Sequence, residues 1–191
     1  MILTKSELRK KIKTILAEQT ESLPLKSLEI SKKIIQSDEY KNAGVILAYM
    51  ALSDEVNLAS VIADARNKGK KVYIPKVDPN STGMEFYEFN KDDIEQGSYG
   101  ISEPGANGFL LNLESGKELS DINMLILVPV RAFTKQGARL GRGKGYYDKY
   151  LARLKNAEIG VVVKAGVCFE SQIVQELPVE SHDFFMDFVF Y

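Results

Sequence analysis

Residues Arg139–Leu151 read RLGRGKGYYDKYL. They place three glycines (Gly141, Gly143, Gly145), four basic side chains (Arg139, Arg142, Lys144, Lys149), a tyrosine pair (Tyr146, Tyr147) and Asp148 in one short stretch. These residue types point to phosphate chemistry. Glycines let backbone N–H groups converge on an anion, a following helix adds the partial positive charge of its N-terminus, and arginine forks match phosphate oxygens. The spacing is not that of a Walker A loop, G-x-x-x-x-G-K-S/T: Ala138 stands where the first glycine belongs, and Gly145 replaces the hydroxyl residue. A dinucleotide-binding G-x-G-x-x-G is also absent from the stretch. Two other readings of the same residues stand beside the phosphate cradle. One is a solvated basic loop that uses glycine to turn; the other is an RNA contact in which Tyr146 and Tyr147 stack bases.

The wider charge pattern favours a small ligand. Arg131–Lys155 carries eight basic residues against Asp148 alone, in a chain of 191 residues whose formal net charge is −1. The remainder is acidic, and a local basic patch on an acidic body suits a compact, highly charged molecule better than a polymer, so nucleic acid is not the expected partner. One cysteine (Cys168) and one histidine (His182) leave no intrachain disulfide and little room for a Ser-His-Asp or Cys-His nucleophile. No apolar run is long enough to span a bilayer, and MILTKSELRKK puts charge where a secretory signal needs apolar residues. A cytoplasmic protein with no membrane partner is expected. Residues 1–191 fit one domain, and with no coiled-coil seam the chain reads as a monomer.

Around the basic loop, apolar runs alternate with amphipathic segments. Thr4 to about Gln19 reads as a helix opened by a Thr4/Glu7 capping box, with Lys5 and Arg9 one turn apart on one face. A second helix should follow Pro24. Val45–Met50, Lys71–Pro75, Met124–Val130, Ile159–Val167 and Met186–Tyr191 read as strands, and Met84–Phe89 as an exposed or edge strand. Asp54–Lys68 reads as a helix closed by Gly69, Gln172–Leu177 as a short helix, and Tyr146–Lys155 as the helix after the basic loop. Gln96–Gly116, rich in Gly, Ser, Asn and Pro, reads as a functional loop. The expected fold is α/β, a three-layer, Rossmann-like open sheet of mostly parallel strands flanked by helices. Ligands in such folds gather at the carboxyl ends of the strands, so the loops after Met50, Val130 and Val167 share a site if their strands are neighbours.

The segment GARLGRGKGYYDKYL closely resembles the signature of the 5-formyltetrahydrofolate cyclo-ligases. The likeness extends in order along nearly the whole chain, through KSELRKK, AYMALSDEVNL, YGISEPG and LPVESHDFFMDFVFY. The resemblance implies a reaction in which ATP activates the N5-formyl oxygen of 5-formyltetrahydrofolate as a phosphate. N10 then closes the ring to 5,10-methenyltetrahydrofolate, with ADP and phosphate released. No enzyme nucleophile is needed, and catalysis rests on placement and charge neutralisation.

The resemblance also implies roles. Arg139, Leu140, Gly141, Arg142, Gly143, Lys144, Gly145, Tyr146 and Tyr147 match the ATP loop, and Lys5 and Arg9 match further nucleotide contacts. Arg142 and Lys144 are the expected catalytic cations, with Arg142 on the transferring phosphoryl group. Glu55 matches the folate contact, joined at the substrate by Arg142, Gly143, Lys144, Gly145 and Tyr146. Asp148 and Asp183 match the Mg2+ carboxylates, with Asp187 the rival for the second. Without the resemblance, Lys5 and Arg9 read as surface charges, while Glu55 and Asp148 read as helix N-terminal acids. Met84, Phe86 and Phe133 are candidate pocket walls that equally suit the core. His182 reads as a local structural residue, not a base.

Three positions depart from the family pattern. Val130 stands at a usual glycine and narrows the space beside the loop. Thr134 stands at a usual aspartate, leaving a hydroxyl to cap the turn. Cys168 replaces a frequent alanine, as a small thiol without a redox role. Two rival functions remain at this stage: a nucleotide- or RNA-binding relative without activity, and a kinase that transfers phosphate to a stable product.

Overall fold

The computed structural model describes residues 3–78, 81, 83–97, 100–114, 119–157, 159–180 and 183–191. Its helices are α1 (Lys5–Glu18), α2 (Leu23–Gln36), α3 (Asp38–Asn42), α4 (Ala59–Asn67) and α5 (Tyr146–Asn156). Its strands are β1 (Val45–Leu47), β2 (Lys71–Val77), β3 (Met84–Glu88), β4 (Ile94–Gln96), β5 (Ser102–Pro104), β6 (Asn123–Pro129), β7 (Ala132–Phe133), β8 (Arg139–Leu140), β9 (Val161–Val167) and β10 (Phe188–Phe190). Six of them form one sheet in the order β10-β9-β6-β1-β2-β3. All neighbours run parallel except β3, which closes one edge antiparallel to β2.

The two-residue alternation of a strand builds the layers. Ile46, Ala48, Leu125 and Leu127 face a core made with α1, α2 and α4. Val45, Leu47, Met124, Ile126 and Val128 face the opposite core, shared with α5 and β3. A sheet covered on both faces is why these segments read as continuous apolar runs. Ile12, Leu16 and Ile34 anchor the first layer, and Phe86 and Tyr150 the second, all at most 1% exposed. Burial of each such aliphatic side chain contributes about 1.5–3 kcal/mol.

Strand order places β1 between β2 and β6, so the chain proceeds from β1 to β2 on one side and from β6 to β9 on the other. The carboxyl ends of β1 and β6 then open side by side, with Val45 opposite Met124 and Leu47 opposite Ile126. A crevice at such a reversal is where open parallel sheets bind ligands.

Two expected helices are corrected. The segment read as a helix from Asp54 starts only at Ala59, where Asn57 Oδ1 accepts the Ala59 N–H at 2.8 Å. Asp54 and Glu55 stay in the preceding loop because arginines distant in sequence bind their carboxylates. Gln172–Leu177 is not a helix; a single 3-10 turn covers Glu170–Gln172. The Val174 N–H is taken by Phe133 O at 2.8 Å, which draws the segment out along β7. Within the expected Gln96–Gly116 loop, Ser102–Pro104 forms β5 and pairs antiparallel with β4; residues 98, 99, 115 and 116 lie outside the described residues. The capping box at Thr4 and Glu7 is present, with the Thr4 N–H donating to Glu7 Oε2 at 2.8 Å.

Gln172 locks the carboxyl ends of the central strands. It is 2% exposed. Its Nε2 donates to Val130 O at 2.7 Å and Arg131 O at 3.0 Å, and its Oε1 accepts the Phe169 N–H at 2.8 Å. One amide thus ties the exit of β6 to the exit of β9. Lys5 makes a second long-range tie, donating to Asp183 at 2.8 Å and pairing with Glu180 at 3.3 Å.

Gln172→Ala leaves a buried N–H and two buried carbonyls without this partner, and should lower the unfolding free energy by about 2–4 kcal/mol, read from urea denaturation. A pH-dependent loss is expected for Lys5→Met. Burial opposes the Lys5 charge, but Asp183 and Glu180 outweigh it and raise the pKa above its ordinary value. The stabilisation is therefore complete below the unfolded-state lysine pKa and disappears as pH rises through the folded one. The melting gap between wild type and Lys5→Met should be constant through neutral pH and close in strongly alkaline buffer.

Candidate active site

A cavity of about 680 Å3 lies at the carboxyl ends of β1 and β6. Its basic end is lined by Lys5, Arg9, Arg139, Leu140, Gly141, Arg142, Gly143, Lys144 and Gly145. Its apolar end is lined by Met50, Leu52, Pro75, Val77, Met84 and Ile101, with the buried Glu103 among them. Tyr146, Tyr147, Asp148 and Asp183 also line it. The expected basic residues, the glycine loop, Glu55, Asp148 and Asp183 all line this one cavity. Asp187, the rival metal carboxylate, is not among its lining residues and pairs with Lys164 at 2.9 Å. Phe86 and Phe133 are core residues instead, and His182 lies outside the described residues.

The glycine loop has its shape for local reasons. It connects β8 to α5, and Gly145 caps α5 in the left-handed region at φ 73°. Gly143 is also left-handed, at φ 102°, and a Cβ there would lie 3.2 Å from Arg9 Cζ. The left-handed backbone favours glycine at Gly143, and a Cβ there would crowd the Arg9 guanidinium. Arg9 reaches the loop from α1, its Nε donating to Gly141 O at 2.9 Å. The capped α1 thus holds two of its basic residues against the cradle.

Arg139 and Arg142 are met by carboxylates. Arg139 is 8% exposed overall and donates to Asp148 Oδ1 at 2.5 Å, so it organises the first turn of α5 from beneath. Its Nε is buried with no hydrogen-bond partner among the described residues. Arg142 Nε donates to Glu55 Oε1 at 2.8 Å, and Arg142 Nη2 donates to Asp54 Oδ1. The Leu52 N–H donates to Glu55 Oε2 at 3.0 Å, which fixes that carboxylate in the β1 loop. Burial opposes the charge on Arg142; Glu55 and Asp54 overcome it and raise its pKa further. The Tyr147 hydroxyl is buried without a hydrogen-bond partner among the described residues. Burial first, and the Glu55 charge second, hold this phenol well above its ordinary pKa.

The family departures have plain structural consequences. Val130 is 5% exposed and lines the cavity. The Thr134 hydroxyl accepts the Ala138 N–H at 3.2 Å and so caps the turn where an aspartate is usual. Cys168 is 1% exposed, and burial pushes its thiol pKa up to about 12, out of reach of thiolate chemistry. Sequence reasoning missed Asp54, Arg131 and Glu103. The acidic pair Asp54–Glu55 was the only signal for the first, and it reads equally as the start of a helix.

A sequence profile of the 5-formyltetrahydrofolate cyclo-ligase family matches residues 2–191. A mouse protein named 5-formyltetrahydrofolate cyclo-ligase is 31% identical, the alignment covering 98% of this chain and 91% of that one. The solution structure of a 5,10-methenyltetrahydrofolate synthetase from Aquifex aeolicus superposes with a TM-score of 0.74 at 31% identity, over 98% of this chain and 89% of that one. A synthetase from Mycoplasma pneumoniae shares the fold at a TM-score of 0.72 and 20% identity, with 98% of both chains covered. Among the described residues no helix is long and apolar enough to cross a membrane. With its six-stranded α/β sheet, its cradle at the strand reversal and these matches along its length, the chain belongs to the 5-formyltetrahydrofolate cyclo-ligase family and is an enzyme of that class.

Proposed function

We propose that the chain converts 5-formyltetrahydrofolate to 5,10-methenyltetrahydrofolate with ATP as co-substrate, through a phosphorylated formyl group. The observation that supports this reading is the meeting of Arg142 and Glu55 at 2.8 Å, where the basic and apolar ends of one cavity join. A folate in the apolar end presents its formyl oxygen at that junction. A polyphosphate in the glycine loop presents its terminal phosphorus at the same point. The formyl oxygen attacks the γ-phosphorus and the bond to ADP breaks. N10 then attacks the formyl carbon and loses its proton, the carbon–oxygen bond breaks, and inorganic phosphate leaves.

The chain's residues have work suited to this sequence. Loop N–H groups with Lys5, Arg9, Arg139 and Lys144 bind the phosphates. Arg142 spreads the charge that grows on the transferring phosphoryl group. Glu55 accepts hydrogen bonds from pterin N–H groups and sets the ring's orientation. Tyr146 and Tyr147 wall the substrate in, and Met84 and Val77 exclude water from the apolar end.

Asp148 and Asp183 fit a magnesium site by chemistry. Both line the cavity beside the basic loop. Among the described residues no cluster of three or more His, Cys, Asp or Glu surrounds them, so phosphate oxygens and waters would complete the coordination, as magnesium commonly requires. Magnesium held there supplies further charge neutralisation at the phosphates.

The test is the growth of the near-ultraviolet band of the methenyl product with purified protein, 5-formyltetrahydrofolate and magnesium. It should appear only with ATP and be matched by inorganic phosphate. Phosphate transferred to a stable product instead would sink the cyclo-ligase reading in favour of a kinase. Arg142→Ala should lower kcat by about 10²–10³ with an unchanged circular dichroism spectrum, the scale of losing one preorganised donor to a developing oxyanion.

A further inference from the structure

This inference rests on the reading of Arg142 as the cation at the transferring phosphoryl group, and it concerns what aims that cation. A guanidinium is planar, and Nε and Nη2 present their hydrogens along one edge. In Arg142 that edge is engaged, Nε by Glu55 at 2.8 Å and Nη2 by Asp54. Nη1, on the other side, makes no hydrogen bond among the described residues and belongs to a side chain that lines the cavity.

Asp54 is itself held. Its second oxygen, Oδ2, accepts from Arg131 Nη1 at 2.7 Å. Arg131 is only 7% exposed, and its backbone is fixed on both sides. Its N–H donates to Leu140 O at 2.6 Å, and its carbonyl accepts from Gln172 at 3.0 Å. Arg131, Asp54, Arg142 and Glu55 thus form a chain of alternating charge that starts on a rigid strand end and finishes on the reactive fork. Only a carboxylate serves in the middle, since both oxygens must accept from an arginine at once.

We propose that Asp54, clamped by Arg131, is a positioning residue that holds one edge of the Arg142 guanidinium so that its other edge faces the transferring phosphoryl group. Preorganisation of this kind matters because a catalytic group displaced by about 1 Å can cost on the order of 10²-fold in rate.

The test is steady-state kinetics of the ATP-dependent conversion in Asp54→Asn, Arg142→Ala and the double variant. Asparagine keeps the size of the side chain but offers one acceptor oxygen where two are used. Asp54→Asn should lower kcat by about 10–100-fold and shift the KM for folate and ATP by less than about 3-fold. In the Arg142→Ala background it should cost less than about a further 2-fold, because the group it positions is already gone. Arg131→Lys, which keeps the charge and loses the fork, should show the same non-additivity and serves if Asp54→Asn fails to fold. A kcat within about 2-fold of wild type in Asp54→Asn, or losses that multiply in the double variant, would overturn the positioning role alone. A wild-type protein that does not turn over would overturn the reading of the site, and this inference with it.

Discussion

Parallel pairing of β1 with β6 is the constraint from which the site follows. These two strands come from distant parts of the chain, yet their register sets two loop origins beside each other at one edge of the sheet. One loop carries Asp54 and Glu55; the other begins at Arg131 and leads to the glycine cradle. A slip in this pairing by one residue would turn every core side chain to the wrong face. Because both faces of these strands are packed, the register is strongly specified. The placement of the acidic loop opposite the basic loop therefore comes from apolar packing rather than from attraction between the charges.

Electrostatics then decides what the two loops do once they face each other. A cluster of cations in a half-buried cavity would repel itself and carry a desolvation cost. Here Lys5 is matched by Asp183 and Glu180, Arg139 by Asp148, Arg131 by Asp54, and Arg142 by Asp54 and Glu55. The matching explains how a nearly neutral chain keeps so many positive groups close together. It also leaves the loop N–H groups and the unengaged edges of the cations to meet a ligand. Three arginines of the basic run, Arg131, Arg139 and Arg142, are in the fold members of short charge pairs around one cavity.

What was legible in the sequence was local. The capping box at Thr4 and Glu7 marked the start of α1, and a strand, a glycine loop and a helix in succession marked the cradle. Apolar runs without alternation announced a sheet covered on both faces. The misreadings came where a distant partner overrides local preference. Asp54 and Glu55 look like acids at a helix start, but arginines far along the chain hold them in a loop. Gln172 looks like the start of a short helix, but its amide is consumed by backbone groups just past the ends of two strands. The Arg131–Asp54 pair had no local signal, since nothing in either neighbourhood names the other.

The tie between Lys5 and Asp183 spans 178 residues, that between Arg9 and Gly141 132, and those of Asp54 with Arg131 and Arg142 77 and 88. Contacts so distant in sequence reward the chain only after the entropy of closing very long loops has been met. The ties that build the cavity therefore carry a larger loop-closure cost than the local contacts within helices and between neighbouring strands. In a partly folded chain the glycine loop would still carry its charge but lack the acidic partners that organise it. The cavity, with its paired charges, is thus a property of the completed topology and of no fragment within it.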